Sequence, residues 1–352
     1  MKEKNQKIDY AGVLQSYAVV LIGIVLIILF CALKPDTFAT NANLKTILGS
    51  VAPLRILLAL GIMIPLIAGD YDMSAGATMA LCSMVVAHVY QIMNMPLIVA
   101  ITLGIVSGIA IGALNGFIIT KFNINPFIVT MGTQTLVSGL ALGINTQNIT
   151  ITRDTRLSDI SVTKLFGLPL VFFYTIIVCA ILFYIFEKTS VGKRVLIVGK
   201  SQNVAKLSGI KVGRVRFLCF VVSGAIAGVA GVLYTGKTGA GSPQAAMQYL
   251  MPAFAAVFLG STIIKMGRYN PFGTLIAVYF LETTTTGLQH LGAPSWIQNI
   301  FYGGALIGAV LFAVMGKTMQ DKKKFNIEQA ARIKEIEERQ LAKENQTGKE
   351  IA

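Results

Sequence analysis

Carboxylates inside apolar sequence are the residues here whose type and position can do chemistry. Asp70 and Asp72 fall in PLIAGDYDMSAGATMAL, Pro65 to Leu81, between two apolar runs, and Glu282 opens the stretch Glu282-Thr283-Thr284-Thr285-Thr286 in another. Ionisable groups at membrane depth are costly and mark ion or substrate pathways, so Asp70, Asp72 or Glu282 could carry a proton or sodium ion in a coupled secondary transporter. Residues two apart do not share a helix face. Asp70 and Asp72 therefore predict a broken helix beside a path rather than one chelating site, with Asp72 or Ser74 capping the helix that starts near Met73. Hydroxyl and amide side chains suit a different cargo, neutral and rich in hydroxyl groups. Ser74, Asn115, Thr130, Thr133, Gln134, Thr285, Thr286 and Gln289 are the residues that could line such a weak, wet path. Arg55 lies at the edge of a run, where snorkelling and function are equally open.

These residues need elements to hold them. Of 352 residues, 54% are hydrophobic and only 13% charged, with a mean hydropathy of +0.69, a balance that implies an integral membrane protein. Ten apolar runs stand out: Tyr17 to Leu33, Leu54 to Ala68, Met73 to Met93, Leu97 to Ile119, Pro126 to Ile144, Leu168 to Phe186, Val215 to Tyr234, Tyr249 to Ile264, Phe272 to Leu288 and Trp296 to Met315. Most reach the ~20 residues a spanning helix needs. The expectation is an all-α polytopic bundle of about ten transmembrane helices. The runs at Leu54 and Tyr249 are the shortest, and either can be broken or re-entrant. The span count allows two halves, Leu54 to Ile144 and Val215 to Met315, of inverted topology. The first run is too long for a signal-peptide core and is expected to stay. Cys31, Cys82, Cys179 and Cys219 show no CxxC spacing, and His88 and His290 lack a second ligand at metal spacing, so neither a metal site nor a cofactor is expected.

A net charge of +14 can signal nucleic acid, but the basic residues alternate along the chain as topology requires. Lys2, Lys4, Lys7, Lys121, the segment 187–216, Lys265, Arg268 and the tail share one side, and only Lys34, Lys45, Arg153, Arg156, Lys164 and Lys237 fall on the other. The positive-inside rule then puts both termini in the cytoplasm and removes the need for a nucleic-acid partner. The chain divides into a cytoplasmic N-terminus, 1–16, a transmembrane domain, 17–315, with a cytoplasmic loop at 187–216, and a charged tail, 317–352. That tail reads as a helix over Ile327 to Glu344. The loop Thr146 to Gly167 reads as polar and β-prone, and Gln202 to Ser208 as a short helix stopped by Gly209.

GVLYTGKT, Gly231 to Thr238, matches the phosphate-binding G-x-x-x-x-G-K-[ST] pattern. It closes an apolar run rather than following a strand, which argues against nucleotide binding. Gly104, Gly108, Gly112 and Gly116, with Gly224 and Gly228, recur every four residues and predict close helix packing.

Five ordered blocks carry a family resemblance: GDYDMSAG, Gly69 to Gly76; NPFIVTMGT, Asn125 to Thr133; TSVGKRVLIVGKSQNVAKLSGIKVGRVR in the cytoplasmic loop; GSPQ, AFAAVFLGST and GRYNPFGT; and TTGLQHLGAPSWIQ. Over most of residues 36–315 the chain resembles the inner-membrane permease subunits of bacterial ABC importers for monosaccharides, the ribose, xylose and galactose type. Asp70 replaces a family glycine, YLMPAFAA replaces a more acidic segment, and Thr285 and Thr286 replace two asparagines. These departures bear on which sugar is carried. The resemblance implies no enzyme activity in this chain. It implies partner ATPase subunits docked on a coupling helix at Asn203, Ala205, Lys206, Leu207, Ser208 and Gly209. It further implies an extracytoplasmic sugar-binding protein and a second permease chain, alike or different, in the bacterial plasma membrane lipid. A structural subunit beside a more active permease is the third reading.

Overall fold

The computed structural model describes residues 10–244, 248–264 and 267–312, with residue 329; the tail and its expected helix otherwise lie outside the described residues. A helix occurs at each of the ten apolar runs. In chain order the helices are α1 (Tyr10–Leu33), α2 (Asn41–Lys45), α3 (Ala52–Ile67), α4 (Ala75–Ala87), α5 (Leu97–Phe122), α6 (Pro126–Ile144), α7 (Arg156–Val162), α8 (Leu170–Lys188), α9 (Ser190–Lys200), α10 (Gln202–Leu207), α11 (Val212–Thr238), α12 (Leu250–Gly260) and α13 (Pro271–His290). A last apolar helix, α14, covers Ile297–Phe312. Among the described residues, six helical segments are long and apolar enough to cross a membrane by length and composition: Asn41–Ile67, Ala75–Ile92, Leu97–Phe122, Pro126–Ile144, Leu170–Lys188 and Val212–Thr238.

The Leu54 run, one of the two shortest in sequence, belongs to one of the longest of these segments. A π-wound turn, Thr46–Val51, joins α2 to α3 without a break, because the polar residues before Leu54 still wind helically. The Tyr249 run is short in space as well, with 11 residues in α12. The loop expected to be β-prone instead holds α7, and its strands are two residues each. β1 (Ile149–Thr150) pairs with β4 (Ala240–Gly241), and β2 (Lys164–Leu165) pairs with β3 (Leu168–Pro169), both antiparallel. Thr155 leads into α7, and Asp159 in its first turn suits a helix N-terminus. The loop at 187–216 also contains α9, which sequence reading passed over. The nucleotide-pattern residues Gly231 to Thr238 are the last turns of α11, an unbroken helix with no phosphate-cradling loop.

The centre of the bundle is α3. Every residue of it but Arg55 is buried, as befits a helix apolar on all sides. α11 packs along α3, α4 and α5, and α12 lies between α3 and α13. The glycine repeat seats α5 on α11. A Cβ on Gly108 would come within 2.3 Å of the Gly224 carbonyl, and one on Gly112 within 2.2 Å of the Phe220 carbonyl. Large apolar side chains on α1, α5, α6, α8 and α14 face outward, among them Ile98, Ile128, Tyr184 and Phe312. An apolar exterior of this kind suits lipid or a second membrane chain.

Candidate functional site

The helix break predicted from the two aspartates is present between α3 and α4, and it is well defined. Gly69 adopts φ +88°; its N–H donates to the Leu66 carbonyl at 3.1 Å and that of Asp70 to the Pro65 carbonyl at 2.9 Å. This pair of bonds is a Schellman closure, which a glycine at positive φ makes inexpensive.

Asp72 does not cap α4 in the expected way, since α4 begins at Ala75 and its N-cap Ser74 makes no side-chain capping bond. Instead Asp72 gathers a buried polar cluster. One carboxylate oxygen accepts from the Ser74 backbone at 3.1 Å and the Ser74 hydroxyl at 2.6 Å, and the other accepts from the Ser223 hydroxyl at 2.7 Å. Asn115 donates to the Ser74 oxygen at 2.8 Å, and Thr133 donates to Asn115 Oδ1 at 2.6 Å. Thr130 accepts from the Met73 N–H at 3.1 Å and donates to the Pro126 carbonyl at 2.8 Å. Five of the predicted residues, Asp72, Ser74, Asn115, Thr130 and Thr133, thus tie α4, α5 and α6 together. Ser223 of α11, adjacent to Gly224 of the glycine repeat, is a member the sequence reading missed.

Asp70 is engaged elsewhere. It takes a two-pronged ion pair from Arg216, Nε to Oδ2 at 2.7 Å and a terminal nitrogen to Oδ1 at 2.9 Å, and both side chains are buried. Planar guanidinium against carboxylate is the strongest such geometry. Arg216 stands in the first turns of α11, directly after the loop that carries α9 and α10. That loop also touches the break: a Cβ on Gly199 of α9 would lie 1.9 Å from the Ile67 carbonyl.

α10 is closed at both ends. Ser201 accepts from the Val204 N–H at 3.3 Å, and Gly209, at φ +76°, donates to the Lys206 carbonyl while Ile210 donates to that of Ala205, each at 3.0 Å. Ala205 packs against Val198 and Val212. Leu207, in contrast, is 90% exposed and Val204 55%.

A second cluster lies between α3, α13 and α14. Arg55 does not snorkel; its guanidinium bonds Glu282 and donates to the Tyr302 hydroxyl at 2.7 Å, with the Tyr249 and Tyr302 rings within 5.5 Å and 5.3 Å of it. Thr285 is 3.4 Å from the Tyr302 oxygen. Gln134 and Thr286 are half-buried and Gln289 is exposed, so these three predicted residues join neither cluster. At the opposite end from α10, Tyr90 donates to Asp154 at 2.5 Å, and this bond, aided by Arg156, holds the Asp154 carboxyl below its usual range.

A family model described as "Branched-chain amino acid transport system / permease component" matches residues 43–314. The chain is 28% identical to the D-allose transport system permease protein of Escherichia coli (strain K12) over 307 residues, 87% of this chain and 94% of that one. It is 31% identical to the ribose import permease protein of Bacillus subtilis (strain 168) over 313 residues, 88% and 96% of the two chains. Among solved structures, an inward-facing metal-chelate type ABC transporter aligns with a TM-score of 0.47 at 15% identity, covering 87% of this chain and 99% of that one.

Proposed function

This chain belongs to the family of permease components described for branched-chain amino acid transport systems, and from that premise we propose how it works. It is a multi-pass inner-membrane permease of the ABC-importer kind, with relatives named for allose and ribose. We infer that the cargo is a monosaccharide or similar small polar solute, handed over by an extracytoplasmic binding protein and driven by ATP hydrolysis in partner subunits. The reading comprises ten spans with both termini in the cytoplasm, which the distribution of basic residues supports, and a second permease chain against the apolar exterior.

The observation that carries the coupling role is α10. A six-residue helix pinned by a serine cap and a glycine closure exposes leucine and valine at the tip of a basic loop. Exposed apolar groups on a rigid knob fit a cleft in a partner, and rigidity lets a push at that cleft travel onward. Gly199 backs on the end of α3, and Arg216 holds Asp70 in the break, so movement of the loop reaches the Asp72 cluster through two contacts. Ser74, Asn115, Thr130 and Thr133, buried and bonded to internal partners, serve the cargo path by holding α4, α5 and α6 together at the break.

The coupled-carrier reading asks for an acid open to an ion. Asp70 is held by Arg216, Asp72 by Ser74 and Ser223, and Glu282 by Arg55. All three acids serve internal partners, which favours the ATP-driven reading.

The test is purification of the tagged protein in mild detergent with identification of co-purifying chains, followed by uptake measurements. An ATPase subunit is expected to accompany the native protein and to be lost or uncoupled in Leu207→Asp, a solvent-facing change, and in Gly209→Pro, which cannot hold φ +76° and removes the N–H that closes α10. Full uptake in both variants, or uptake abolished only by collapsing the ion gradient, would overturn the proposal.

A further inference from the structure

A cavity of about 550 Å³ opens at the α7 end of the bundle, away from α10. α2 and the π-wound turn line it on one side, the end of α7 and the β2–β3 hairpin on another, and the last turn of α11 completes it. Three lysines from three separate elements reach it, Lys45 of α2, Lys164 of β2 and Lys237 of α11, and no carboxylate is among its lining residues. Lys45 and Lys164 are exposed and Lys237 is half-buried. Among the described residues none of the three forms an ion pair. Lys237 instead donates to the Ser50 carbonyl in the π-wound turn, and the Tyr279 hydroxyl donates to the neighbouring Leu48 carbonyl at 3.2 Å. The π winding displaces the ordinary carbonyl ladder and is frequent at functional sites.

Cations converging on one cavity raise the local positive potential, which favours an anion there. The field extends inward, since Lys237 lies within electrostatic range of Arg55 and Glu282. Lys237 therefore links the lysines of the cavity to the Arg55–Glu282 pair. The volume suits a ligand of sugar size, and Ser50, Ser161, Thr46 and Asn41 add hydroxyl and amide groups around the lysines.

We propose that this cavity binds the anionic group of a sugar-sized solute, a sugar acid or sugar phosphate, and that acidic sugars are the cargo class. The assignment rests on the importer reading and narrows its substrate. It makes the cavity an entry site, in which three lysines take the carboxylate or phosphate while the hydroxyl groups of the ligand meet serine and threonine.

The experiment measures binding to the full chain in phosphatidylcholine nanodiscs at low salt, with glucuronate and glucose 6-phosphate as anionic probes and glucose as the neutral comparison. At least one acid is expected to bind about tenfold or more tightly than glucose, with the preference fading at high salt. Lys45→Gln combined with Lys164→Gln, both exposed and safe for folding, should abolish that preference. Lys237→Gln should weaken it without affecting ATPase co-purification. Equal binding of acids and glucose, no binding of any probe, or a preference that survives the double variant would overturn the proposal. So would phosphatidylglycerol in the disc displacing the acids through the same lysines, which assigns the cavity to a lipid headgroup. Failure of these measurements while an ATPase still co-purifies removes the acidic cargo alone; absence of the ATPase removes the importer reading itself.

Discussion

At the scale of single residues, the buried acids are explained by their partners. Asp70 is 1% exposed and Asp72 2%, and a carboxylate so enclosed is tolerable only when its lone pairs are used. The Asp70–Arg216 pair joins residues 146 positions apart and fixes the α3–α4 break to the foot of α11. Removing one partner of a buried ion pair leaves an uncompensated charge and costs about 3–5 kcal/mol, whereas replacing both by apolar residues is often nearly neutral. Asp70→Leu and Arg216→Met should each lower the melting temperature of the purified protein sharply. The double variant should recover most of that loss while uptake stays impaired, because the link from loop to break is gone. Single variants with native melting would show the pair to be inert.

At the scale of elements, the α5–α11 seam decides whether the polar cluster can assemble. Glycines on both helices bring the backbones together, and that approach places Asn115 and Ser223 within reach of the α4 start. Gly112→Leu inserts a side chain where a Cβ alone would be 2.2 Å from the Phe220 carbonyl, so it should prevent stable folding, read as loss of monodisperse protein in detergent. Gly132, on α6, has nothing within 4 Å of a built Cβ. Gly132→Ala should be neutral or stabilise by about 0.5–1 kcal/mol through helix propensity. Comparable behaviour of the two variants would remove the seam from the account. α10 shows the same economy: serine at one end and glycine at the other delimit a helix too short to persist by propensity.

At the scale of the whole molecule, two ends of the bundle carry different chemistry. One end holds α9, α10 and most of the loop cations, and the other holds α7, the β1–β4 pair, the β2–β3 hairpin and the lysine-lined cavity. The importer reading puts the first in the cytoplasm. In a Cys31→Ser background, where the other three native cysteines are buried, Gln147→Cys should react with a membrane-impermeant maleimide in intact cells. Lys206→Cys should react only after permeabilisation. Labelling of Lys206→Cys from outside would invert the orientation and with it the assignment of every surface.

Much of this architecture was legible in one dimension. Apolar run length, alternation of basic segments, the glycine repeat and the serine–glycine bracket around α10 are local patterns, and local patterns report on helices, their ends and the packing faces they carry. The Asp70–Asp72 spacing likewise announced a break, because two residues cannot share a helix face at that interval. Partners were another matter. Arg55 and Glu282 lie 227 positions apart and Asp70 and Arg216 146, and no helical period links residues across separate helices. The β-prone reading of 146–167 holds only for the two-residue strands β1 and β2 and gives way to α7 between them, because the propensity of a few threonines and isoleucines is weak beside an acidic first turn and packing against α8 and α11. The lysines of the cavity were visible only as exceptions to charge bias; their convergence exists once α2, the hairpin and α11 are folded together, since only tertiary packing sets distances between charges from distant parts of the chain.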